Sequence, residues 1–144
     1  VYQRILVAID VFNHPGLLIN RALNLAADTA VVDLLYVVQP QTTVDPYGCF
    51  LERDFSQDVK QHATERMNAV ASEYPGRIHQ AQVIYGSVVE EIVYMATHDD
   101  YQVVIVGARA ASGIPRILGS TATTLVHNVS CDVLAIHTDN PEQQ

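Results

Sequence analysis

The chain has 144 residues, 49% of them hydrophobic, and carries 8 Lys plus Arg against 16 Asp plus Glu, a formal net charge of −8 with a pI near 5.0. That length suits one domain spanning residues 1–144, with enough apolar residues to bury a core without staples. The acidic balance, with no run of Lys or Arg against it, repels nucleic-acid backbones and anionic membranes and excludes both as expected partners. The two cysteines, Cys49 and Cys131, form no CxxC or metal-ligand pattern, so free thiols in a reducing, cytoplasmic compartment are the simpler reading. No apolar run approaches the roughly 20 residues of a membrane span, and Gln3 and Arg4 interrupt the N-terminus too early for a signal peptide.

In chain order, Ile5 to Ile9 is a continuous apolar run stopped by Asp10, the pattern of a strand covered on both faces of a parallel sheet. The NHPG segment at 13–16 carries turn and helix-start signals. Leu17, Leu18, Ala22, Leu25 and Ala26 then recur at helical spacing, which predicts a helix of about four turns. Ala30 to Val38 is rich in β-branched residues and stops at Gln39-Pro40, a second strand. Strand, helix, strand is the signature of a right-handed parallel crossover.

Residues from Pro40 to about Arg53 show little periodicity and read as a long loop of the kind that often covers a ligand. Phe55, Val59, Ala63, Met67 and Val70 mark one face of a long helix capped by Asp54 and ended near Tyr74-Pro75-Gly76. Ile78 to Tyr85 is a third strand whose loose alternation suits a sheet edge. Gly86 turns the chain, and Ser87 with Glu90 forms a capping box before a third helix that His98-Asp99-Asp100 closes. A fourth strand, Val103 to Val106, breaks at Gly107; a fourth helix runs from about Gly119 to Asn128, and Val133 to His137 is a fifth strand before a polar tail. The alternation argues for a doubly wound α/β sheet.

One stretch differs in charge from the rest. From Tyr101 to Cys131 there is no Asp or Glu, so in an acidic chain this is where an anion would sit. Within it, Gly107 closes a strand where a missing Cβ permits either close backbone approach or a turn through positive φ. Gly119, Ser120 and Thr121 would aim free N–H groups and hydroxyls at a phosphate from a helix start, although the same residues make an ordinary cap. Arg109 could add a charge-assisted hydrogen bond, Arg116 lies in mid-loop, and Gly113 supplies loop freedom. Asp10 is open to two readings, a ligand contact or a cap for the first helix.

The opening YQRILVAID, the segment VVIVGARAASGIPRILGSTATTLVHNVSCDVLAIH and the element order between them resemble the universal stress protein family over nearly the whole chain. Nucleotide-binding members carry GxxG, nine residues, then G followed by Ser or Thr; here Gly107 matches the first position, Ala110 replaces the second glycine, and eight residues precede Gly119-Ser120. The ending Ile117-Leu118-Gly119-Ser120 is similar to the subgroup with a shortened loop. The resemblance implies a five-stranded parallel sheet in the order 3-2-1-4-5, helices on both faces, and ATP, ADP or AMP, with or without Mg²⁺, at the ends of strands one and four. It also implies that Asp10 faces the nucleoside, that Ala8 and the backbone near Val38 line the adenine and ribose side, and that Val106 joins Gly107 in the site. Homodimers paired through Val133 to His137 follow from the same likeness, together with an unidentified protein partner.

Catalytic machinery is not evident. The six histidines are dispersed without HxH or HExxH spacing, there is no GxSxG elbow, and the glycine stretch lacks the Walker A lysine. No catalytic residue and no protein metal site are expected. The reading is a dimeric stress-response module that binds nucleotide with little or no hydrolysis; the alternatives are a nucleotide-free interaction module and a weak ATPase.

Overall fold

The computed structural model describes residues 1–39, 56–108 and 120–138. Its elements run β1 (Tyr2–Ala8), α1 (Gly16–Leu25), β2 (Ala26–Val38), α2 (Ser56–Ser72), β3 (Gln80–Tyr85), α3 (Val88–His98), β4 (Val103–Ala108), α4 (Ser120–Asn128) and β5 (Asp132–His137). The five strands form one sheet in the order β3-β2-β1-β4-β5, and every pairing is parallel, as expected. The proposed loop over Pro40 to Arg53, the Asp54 cap, and Arg109, Ala110, Gly113, Arg116 and Gly119 lie outside the described residues.

The continuous apolar runs acquire their meaning in the sheet. Ile5, Leu6 and Val7 of β1 are all fully buried, because α1 and α2 cover one face and α3 and α4 the other. Ile5 and Val7 pack with Leu18, Ile19 and Ala22 of α1 and with Ala63 and Met67 of α2. Leu6, one residue out of phase, packs instead with Ile92 and Met95 of α3 and Ala122 and Leu125 of α4, as the period of two in a strand requires.

Several local expectations are corrected. The first helix has 10 residues rather than four turns, and Ala26 is already extended at φ −84°, ψ 138°. The following DTAVV run is poor in helix formers, so β2 begins at Ala26 instead of Ala30. Its extra length is absorbed by a register shift, the partner of Tyr2 being Ala26 and that of Arg4 being Val31. The Ser87–Glu90 capping box does not form: Ser87 is the N-cap but makes no side-chain cap bond. Gly86, at φ 149°, leaves room for Glu91 instead, whose Oε1 lies 2.7 Å from where a Cβ would stand. β4 does not break at Gly107 but continues through it to Ala108.

Asp33 is the buried charged residue among the described core, 3% exposed on β2. Its Oδ2 accepts the Tyr101 hydroxyl at 2.5 Å, and its Oδ1 accepts Gln80 N at 3.0 Å and faces His79 Nδ1 at 3.0 Å. One carboxylate thus ties β2 to the start of β3 and to the residue pair before β4. The Arg4 guanidinium caps the arrangement, 5.4 Å from the Tyr101 ring centre.

Burial first, and then the hydrogen bond to Asp33, push the Tyr101 phenol far above its ordinary value of 10.0. A group whose folded value is raised contributes stability that is fully present below the unfolded value and is lost as pH rises past it. Tyr101→Phe is expected to cost about 1.5–3 kcal/mol in urea unfolding at neutral pH, because a hydrogen bond to a charged group is removed. The variant should also lose part of the decline in stability that the parent shows above about pH 10, the ordinary phenol value.

Candidate functional site

At the C-terminal ends of β1 and β4, where the winding of the sheet reverses, there is a cavity of about 310 Å³. This is the position where ligands bind in open α/β sheets. The floor is Ala8 and Ile9 from β1 and its end, and Val106 and Gly107 from β4. One wall is the β1–α1 connection, with Asp10, Asn13, His14 and Pro15; the other holds Val88, Thr121 in the first turn of α4, and Thr138 just past β5. Leu35, Tyr36 and Val37 close it from β2.

The local sequence explains the connection. Asp10 accepts Phe12 N on Oδ1 at 2.9 Å and Asn13 N on its carbonyl at 3.2 Å, a self-bonded turn of the kind Asp favours. Asp10 therefore caps this turn and not the first helix, whose N-cap is Pro15. Pro15 at φ −65° needs no hydrogen of its own there, and His14 takes up the reversal at φ 49°. Asp10 stays exposed beside the cavity.

Gly107 has no positive φ. Its lack of a side chain is explained by approach: an added Cβ would stand 3.2 Å from Thr138 Cγ2 and 3.9 Å from Leu18 Cδ1. Thr138 N also donates to Ala108 O at 3.2 Å, holding the threonine against the strand end.

The charge distribution is uneven. Among the described lining residues there is one acid, Asp10, and no Lys or Arg; His14 is the only other side chain there that can carry charge at ordinary pH. α2 and α3 have Asp58 and Glu90 with Glu91 in their first turns, where they offset the helix dipole, whereas α1 and α4 have no acid in theirs. The Tyr36 phenol is pushed up from its ordinary value by burial and then by the charge of Asp10, so it remains a donor at neutral pH.

Of the residues expected from sequence, Ala8, Asp10, Val106, Gly107 and Thr121 meet at this cavity. Ser120 opens α4 next to it. Val38 does not line the cavity: its side chain is buried in the core and its carbonyl accepts Gly86 N at 3.0 Å, and the preceding Tyr36 and Val37 stand there instead. Asn13 and His14 were legible only as turn residues. Thr138 gave no local signal, since what matters is its contact with Gly107 from the neighbouring strand.

Comparison with known proteins agrees with this fold. The model of the universal stress protein family matches residues 1–137. The chain is similar to universal stress protein G of Shigella flexneri, 28% identical over 142 residues that cover 94% of this chain and 99% of the relative. Its fold is similar to that of a universal stress protein, UspA, from Lactobacillus plantarum, with a TM-score of 0.63 at 22% identity over 94% of this chain and 97% of that one. A universal stress protein solved in complex with cAMP has a TM-score of 0.57 at 22% identity, over 95% of this chain and 98% of the other.

Gly107→Val is expected to lower stability by about 1–3 kcal/mol, the usual cost of overpacking a filled site, measured as a shifted urea midpoint. An unchanged midpoint would mean that Thr138 yields without cost.

Proposed function

Since the chain belongs to the universal stress protein family, whose model matches residues 1–137, we propose that its switch-point cavity binds an adenine nucleotide and that the protein is a dimeric regulatory module with little or no hydrolysis. The observation that carries this reading is the convergence of three distant segments, 8–15, 106–107 and the start of α4, on one cavity of about 310 Å³. That volume lies at the lower end of the range for small-molecule sites. A related fold that holds cAMP supports a nucleoside ligand here. Asp10 takes the nucleoside hydroxyls or base amino group, while Thr121 and the α4 N-terminus face the phosphates, joined by Arg109, Gly113, Gly119 and Ser120 on the strength of the sequence pattern. Mg²⁺ accompanying ATP is held chiefly by phosphate and water. The single domain acts in the cytoplasm with a protein partner; no helix among the described residues is long and apolar enough to cross a membrane.

A nucleotide-free interaction module is the second reading, and the observation that favours it is the acid at the cavity with no Lys or Arg among the described lining residues. Calorimetric titration of stripped protein with ATP and Mg²⁺ separates the two. Saturable heat is expected, weakened about tenfold or more in Asp10→Ala through loss of a charged hydrogen bond. No heat at millimolar ATP, with a melting temperature that does not move, would leave the interaction module as the better account.

For the dimer, β5 offers an unpaired edge on which Val133, Leu134 and Ala135 are half-buried. Sedimentation is expected to give a dimer, with amide exchange over Asp132–His137 slowing as concentration rises. A monomer at all concentrations, or protection confined to β3, would rule out this pairing.

A further inference from the structure

Phe12 is 48% exposed on the connection that forms the cavity wall, and its ring meets Tyr36 edge to face, centroids 5.9 Å apart and planes at 79°. A single exposed aromatic means little. This one has three further properties. Phe12 does not itself line the cavity, but Asp10 and Asn13 on either side of it do, as does Tyr36, whose ring it contacts. Its backbone N–H is fixed by Asp10 Oδ1 at 2.9 Å, so the ring is carried on an ordered turn. The edge-to-face contact with Tyr36 leaves about half of the residue exposed.

We infer that Phe12 and Tyr36 form an aromatic rim that holds the planar base of the ligand, with Phe12 setting affinity for the base and Asp10 engaging its polar edge or the ribose. This inference rests on the nucleotide reading of the same cavity and adds to it the residues that recognise the base. Every nucleobase has a π-face, and an aromatic ring beside a carboxylate acceptor combines stacking with an acceptor for an amino or hydroxyl group. A sugar phosphate without a base would gain nothing from Phe12.

Because the chain contains no tryptophan, Phe12→Trp places a sole indole at the rim. AMP is expected to quench its fluorescence on binding, and ribose 5-phosphate is not. In calorimetry Phe12→Ala and Phe12→Leu should each weaken AMP about tenfold, in the range for loss of a base–aromatic stack, while Phe12→Trp retains wild-type affinity. Urea unfolding of each variant should match the parent, since the side chain is half-exposed. Wild-type AMP affinity in Phe12→Ala, or an equal quench by ribose 5-phosphate, would overturn the rim while leaving the nucleotide site intact. Failure of the parent protein to bind AMP or ATP at all would remove both readings together.

Discussion

β1 has a parallel neighbour on each side and a helical layer on each face, and this enclosure is the constraint from which the rest of the molecule follows. Ile5, Leu6 and Val7 can be fully buried only if β2 and β4 both pair with the strand and the connections run along opposite faces. From β1 the chain winds outward through α1 and α2 to β3 on one face, then returns across the sheet and winds outward again through α3 and α4. Right-handed crossovers leave no other arrangement for this strand order. The winding therefore reverses between β1 and β4, and the cavity lies at their C-terminal ends. It is a consequence of the winding and needs no special device to open it.

The starts of β3 and β4 are held to the middle of β2 by polar chemistry. Asp33 would be costly inside β2 if unpaired, and its cost is offset because donors from three places converge on it: Tyr101, Gln80 N and His79. A hydrophobic residue at position 33 could pack there but would not require Tyr101 and Gln80 to stand where they do. The network thus fixes the register of β3 and the entry to β4 relative to β2, with β1 held between. Packing sets the middle of the sheet, hydrogen bonding sets the starts of β3 and β4, and the C-terminal end is free to receive a ligand.

The strand and helix order was legible because each element has one dominant cause. Continuous runs such as Ile5 to Ile9 reflect two-faced burial, and the Leu18, Ala22 spacing reflects a single buried stripe. Boundaries were less legible where two causes compete: the DTAVV run ends α1 early, and at the start of α3 it is Glu91, not Glu90, that packs against Gly86. Within the site, Asp10, Gly107 and Thr121 stood out because each breaks a pattern in its own segment. The sequence reading named the backbone near Val38, the last residue of β2, and the two residues before it, Tyr36 and Val37, are the ones that line the cavity. Tyr36 and Thr138 were missed since their roles come from neighbours across the sheet, Asp10 and Phe12 for one and Gly107 for the other.

Amide chemical-shift mapping with AMP is the most direct test of whether a nucleotide sits at the C-terminal ends of β1 and β4, as proposed. The largest shifts are expected at Ala8 to His14, Tyr36 and Val37, Val106 to Ala108, Thr121 and Thr138, with Gln80 at the start of β3 and Tyr101 before β4 unchanged. Shifts confined to the outer surface of α3 and α4, or none at saturating AMP, would contradict it.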